Sequence, residues 1–119
     1  MIALPSPVIA GLVLTPLLVS AGQILFKLTS GRAGAADAAG LIAVMLDPYL
    51  LAAIGIYGLG TLVWVYVLKS VPLTVAYPFM ALTFCVVPLL AWLLLGETLN
   101  LRYGVGAGLI VAGLLVINA

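Results

Sequence analysis

Residues 71–100, VPLTVAYPFMALTFCVVPLLAWLLLGETLN, decide the fold. No charge interrupts them before Glu97, and about 20 apolar residues at 1.5 Å each are enough to cross a bilayer as a helix. Gly96-Glu97 ends the run, and Asn100 offers its side chain as the N-cap of a further apolar helix. Working back toward the amino terminus, Asp47-Pro48 pairs a capping carboxylate with a proline at the first helical position and opens an uncharged run that closes at Lys69. Ser6-Pro7 repeats that chemistry ahead of a run reaching Lys27. The expected architecture is an all-α membrane protein with four transmembrane helices over residues 7–28, 48–69, 72–95 and 100–118, forming one domain over residues 1–119. The second and third connections are short, so neighbouring helices are antiparallel.

Composition supports a lipid environment. Of 119 residues 66% are hydrophobic and 6% charged, with mean hydropathy +1.44, whereas a soluble domain carries about 25% charged residues. Four spans use about 80 positions and leave no room for a second domain. There is no His, and the single Cys85 lies in an apolar run where it reads as packing, so neither a Cys/His metal site nor a disulfide framework is expected. With net charge +1 there is no basic stripe for nucleic acid, and no phosphate-cradling glycine loop or nucleophile with a base is present. Neither an enzyme nor a bound cofactor is expected. Val19-Ser20-Ala21 has the small residues of a signal cleavage site, but the positive region that precedes such sites is missing, and the run reads as a retained helix.

The first connection is the long one. Ser30-Gly31-Arg32-Ala33-Gly34 reads as a turn, and residues 35–46 read either as a short interfacial helix with an apolar face or as a disordered Ala/Gly loop. Lys27, Arg32 and Arg102 fall at one membrane surface and Lys69 at the other, a count of basic residues that places both termini outside by a narrow margin.

At 100° per residue, Pro16, Ser20, Gln23 and Lys27 lie within about 60° on the first helix and are expected to look inward, because an intramembrane amide facing lipid is costly. Tyr57, Thr61 and Trp64 form a stripe on the second helix, as do Thr74, Tyr77, Ala81 and Pro88 on the third. Prolines 16, 78 and 88 free the carbonyls of Leu12, Thr74 and Phe84, and broken backbone at membrane depth points to a protein-lined or wet cavity. Near the surface, Lys27 and Glu97 either pair to fix two helices, or Lys27 and Arg102 hold a phosphate with Glu97 orienting them. The small residues Gly104, Gly106, Gly108, Ala112 and Gly113 on the fourth helix suit close approach of another helix, from a second copy or from the same chain.

VPLTVAYPFMAL at residues 71–82, LAWLLLGETLN at 90–100 and GVGAGLIVAGLLVIN at 104–118 resemble the small four-helix members of the drug/metabolite transporter superfamily, the small multidrug resistance and EamA-like proteins. Gly106, Leu109, Ile110 and Gly113 are similar to the dimerisation motif of the small multidrug resistance proteins. The resemblance implies a dimer with its transport path between protomers. Those exporters carry a proton-binding Glu eight residues before a Lys matching Lys27; here the position is Val19 and no acid lies within a predicted span. SAGQILFK, residues 20–27, and the VP-x-x-x-AYP segment instead resemble the Arn-type flippase subunits for undecaprenyl-phosphate-linked aminoarabinose. This second likeness implies movement of a polyprenyl-phosphate-linked sugar across the inner, cytoplasmic membrane by a homodimer or a heterodimer of similar small chains. Gln23 and Tyr77 would contact the headgroup with Trp64 nearby, and Lys27, Arg102 and Glu97 would handle the phosphate. A small-cation exporter and a structural subunit of a larger membrane complex remain the alternatives.

Overall fold

The computed structural model describes residues 5–118, so the expected domain limits Met1 and Ala119 lie outside the described residues. Within them the protein is all-α: α1 Ser6–Arg32, α2 Ala38–Met45, α3 Pro48–Leu68, α4 Leu73–Ala76, a 3-10 helix Tyr77–Leu82, α5 Thr83–Leu95 and α6 Leu101–Ile117. Three helical runs, Ser6–Arg32, Pro48–Leu68 and Leu73–Leu95, are long and apolar enough to cross a membrane; α6 is apolar but has 17 residues, about 26 Å.

Several local signals act as expected. Asp47 caps α3 by accepting from the Tyr49 amide at 2.8 Å, with Pro48 at the first helical position. Asn100 caps α6 by accepting from the Tyr103 amide at 2.8 Å. Gly96 ends α5 in the left-handed conformation, φ 69°, which a residue without Cβ adopts at little cost.

Other expectations need correction. Ser6 does not cap α1: the helix begins at Ser6 itself behind Pro5, whose carbonyl accepts from the Val8 and Ile9 amides. At its other end α1 runs a turn past residue 28, because Arg32 is tied to Asp47, Nε to Oδ2 at 3.2 Å, and lies 5.1 Å over the Tyr49 ring. Thr29 joins the same carboxylate at 3.4 Å. The third run is not a uniform α-helix either. Pro78 cannot donate to the Thr74 carbonyl, and the chain tightens to 3-10 over six residues before α5 resumes. The connection holds a short helix, Ala38–Met45, capped by Asp37.

The spine is α1. In the most apolar window of each run 44% is buried for α1, 17% for α3 and 6% for Leu73–Leu95. α1 and α3 are antiparallel, since Gly11 faces Val67, Leu18 faces Gly60 and Gly22 faces Tyr57. The core sits at one end of this pair, where Val8 and Leu12 pack with Val67, Val71 and Ala76. That cluster puts the start of α4 beside the start of α1, so Lys27, Gly96 and Arg102 gather at the opposite end. The outer faces are coated with exposed large apolar residues, among them Leu62, Leu94, Leu109 and Val116, which suits a lipid surround.

Candidate functional site

Two cavities meet at Val19, half-way along α1. One, about 270 Å³, is lined by Val19, Gln23, Thr83, Val87, Phe84, Pro88 and Tyr103. The other, about 220 Å³, lies between α1 and α3 and is lined by Thr15, Val19, Tyr57, Thr61, Trp64 and Met80.

Gln23 joins them. Its Nε2 lies 2.6 Å from the Tyr57 hydroxyl, to which it donates, and Tyr57 is stacked on Phe26 with centroids 5.2 Å apart. The ring reaches this position because Gly22 has no side chain; a Cβ there would overlap the Tyr57 ring. The amide is thereby tied by its nitrogen, on the wall of the cavity that Gln23 lines. Packing locks Tyr57 and Tyr57 orients Gln23, an arrangement that presents a neutral polar group at membrane depth.

The threonine and serine hydroxyls near the centre are taken up by carbonyls three or four residues back. Thr15 and Ser20 donate to the Gly11 and Pro16 carbonyls at 2.8 and 2.7 Å, and Thr61 and Thr83 do the same to Tyr57 and Met80. Thus the expected inward stripe of α1 divides: Pro16 and Ser20 are buried structural residues, while Gln23 and Lys27 are exposed.

Of the three freed carbonyls, that of Phe84 has a defined partner. Tyr103 reaches from the first turn of α6 and donates its hydroxyl proton to it at 2.9 Å. The sequence signalled the acceptor through Pro88 but not the donor.

Trp64 lines the α1–α3 cavity and packs on the core. Tyr77 is not brought to Gln23; it is 65% exposed in a separate cleft with Leu73, Thr74 and Pro78. Six 3-10 residues advance about 120° beyond six α-helical ones, which breaks the expected stripe from Thr74 to Pro88. Lys27, Glu97 and Arg102 are exposed near one end, and no ion pair joins Lys27 to Glu97 among the described residues, where the pair found is Arg32–Asp47. On α6, Gly106 and Ile110 are half-buried and Leu109 and Gly113 exposed, with open space where a Cβ at either glycine would go.

Comparison with known proteins places the chain in a family. The model of the EamA-like transporter family matches residues 2–119. A protein of Sodalis glossinidius is 39% identical over 102 residues, covering 86% of this chain and 88% of that one. Proteins of Erwinia tasmaniensis and Proteus mirabilis are 47% and 34% identical over 62 and 70 residues, covering 52% and 59% of this chain. The matched stretches amount to 57% and 62% of those two relatives, so the chain spans somewhat over half the length of each. All three carry the name "probable 4-amino-4-deoxy-L-arabinose-phosphoundecaprenol flippase subunit ArnE", the name of a transport subunit and not of an enzyme. No solved structure matches. A chain with three long apolar helices and a family match over residues 2–119 is an integral membrane protein that belongs to the EamA-like transporter family.

Proposed function

We propose that this protein flips a polyprenyl-phosphate-linked sugar across the inner, cytoplasmic membrane as a dimer. The observation that carries the reading is the Gln23–Tyr57 pair beside Val19: a tethered, uncharged amide on a cavity whose lining has no acid. Such a centre hydrogen-bonds a sugar and exchanges no proton, which favours a lipid-linked sugar over the cations of a proton-coupled exporter. Lys27 lies one turn closer to the mouth, and Lys27 and Arg102 are both exposed and available to the phosphate, with Glu97 orienting them. Trp64 borders the adjoining cavity, and Tyr77 enters the path from its rim. The names of the relatives supply the same substrate class.

On this reading the chain is one domain of four transmembrane helices with α6 as the fourth, and α2 lies in the interface plane. The stripe of Gly106, Leu109, Ile110 and Gly113 meets a second copy or a similar small subunit. One protomer is too small to enclose a wide path, so the dimer forms the conduit.

The test is translocation of a labelled polyprenyl-phosphate aminosugar in vesicles containing the protein. Lys27→Ala and Gln23→Ala are each expected to slow it at least tenfold while native mass spectrometry still finds the dimer. Unchanged rates in both variants would refute the site assignment.

A further inference from the structure

We propose that the groove between α5 and α6 holds the apolar chain of the carried lipid next to its phosphate, while the headgroup occupies the Gln23 cavity. The proposal rests on the flippase reading above. The groove, about 240 Å³, is lined by Cys85, Leu89, Leu99, Gly104 and Ala107 together with the same Phe84, Pro88 and Tyr103 that wall the headgroup cavity.

The chemistry changes across that wall. On one side stands the Gln23 amide, with the Thr83 hydroxyl beside it committed to the Met80 carbonyl. On the other every lining residue is apolar apart from a thiol and the Tyr103 hydroxyl, and Tyr103 commits its proton to the Phe84 carbonyl that Pro88 strands. The hydrogen bond that closes the backbone gap thereby removes the polar groups a hydrocarbon chain would have to desolvate. A free sugar phosphate has no use for such a groove; a linear amphiphile lying across the wall matches both sides.

Position agrees with chemistry. Leu99, in the link between α5 and α6, puts the groove's opening at the end of the molecule that carries Lys27, Glu97 and Arg102. A chain entering there starts directly beneath the phosphate. Gly104 and Ala107 line the groove from one flank of α6, and at 100° per residue Gly106 and Gly113 point roughly 140° away. Pairing through the glycine stripe therefore leaves the groove open to lipid.

A polyprenyl phosphate with a diazirine in the isoprene unit nearest the phosphate tests this in phosphatidylcholine vesicles holding the full chain. On illumination, adducts are expected on Cys85, Leu89, Leu99, Gly104 and Ala107. Ala107→Trp fills the groove and is expected to lower their yield at least fivefold, whereas Val105→Trp, on the lipid-facing side of the same helix, leaves it unchanged. Adducts concentrated near Thr61 and Trp64, or equal labelling of the groove by a photoactivatable phosphatidic acid, would overturn the proposal. Translocation measured on the same vesicles separates the two levels. Adducts elsewhere with translocation intact remove the groove alone; no adducts and no translocation remove the flippase reading and the groove with it.

Discussion

Between α1 and α3, Gly11 and Gly22 stand where a neighbour leaves no room for a side chain: an added Cβ would overlap Val67 in the first case and the Tyr57 ring in the second. Along α6, a Cβ on Gly104, Gly106, Gly108 or Gly113 would meet nothing within 4 Å. Both regions have the small residues that let membrane helices approach, yet only the first uses them within the protomer. The α1–α3 glycines create the site by admitting Tyr57 to Gln23. Those of α6 have open space around them among the described residues, and in the proposed dimer Gly106 and Gly113 face the second copy.

Gly22→Leu attacks that difference at its strongest point. It must displace the Tyr57 ring, breaking the stack on Phe26 and releasing Gln23. We expect a loss of about 1–3 kcal/mol in unfolding from mixed micelles, the usual cost of overpacking, together with loss of translocation. Gly113→Leu is the matching change on α6. The protomer should keep its stability to within about 0.5 kcal/mol, while dimer dissociation measured by fluorescence transfer rises about tenfold, worth about 1.4 kcal/mol. If Gly113→Leu instead unfolded the protomer as Gly22→Leu does, the two glycine sets would have the same role.

The other contacts sharpen the contrast. Asp47→Ala removes the cap of α3 and the partner of Arg32, which joins the end of α1 to the start of α3; a loss of about 0.5–2 kcal/mol is expected in the same unfolding measurement. Tyr103→Phe removes the side-chain hydrogen bond from α6 to α5 and leaves the Phe84 carbonyl unpaired. Its cost should be near 1 kcal/mol and should show as faster amide exchange confined to the start of α6 and the first turns of α5.

These contacts also mark where the sequence stops being informative. The ends of α3, α5 and α6 were legible because their signals are local: Asp47-Pro48, Gly96 and Asn100 act within one turn. Arg32 was not, because its carboxylate partner lies fifteen positions away across a connection with no strong pattern. In the site, Gln23 was legible as an amide with no reason to face lipid, and the Phe84 carbonyl through Pro88. Their partners Tyr57 and Tyr103 depend on the register of two helix pairs, which periodicity within one helix does not give. The outward turn of Tyr77 follows from the 3-10 segment, and a uniform 100° step cannot anticipate it.

α1 has 27 residues, about 40 Å, and α6 has 17, about 26 Å, whereas the hydrocarbon core of a bilayer is about 30 Å thick. The apolar stretch of α1 stops at Lys27, however: residues 8–26 cover about 28 Å and fit that core, with Lys27 to Arg32 standing beyond it. In the proposed four-helix arrangement α6 is then the short element, and mismatch there is relieved by thinning of the bilayer around it. A thinner film is a shorter distance for a polar headgroup to cross, and the effect should weaken as the surrounding acyl chains are lengthened.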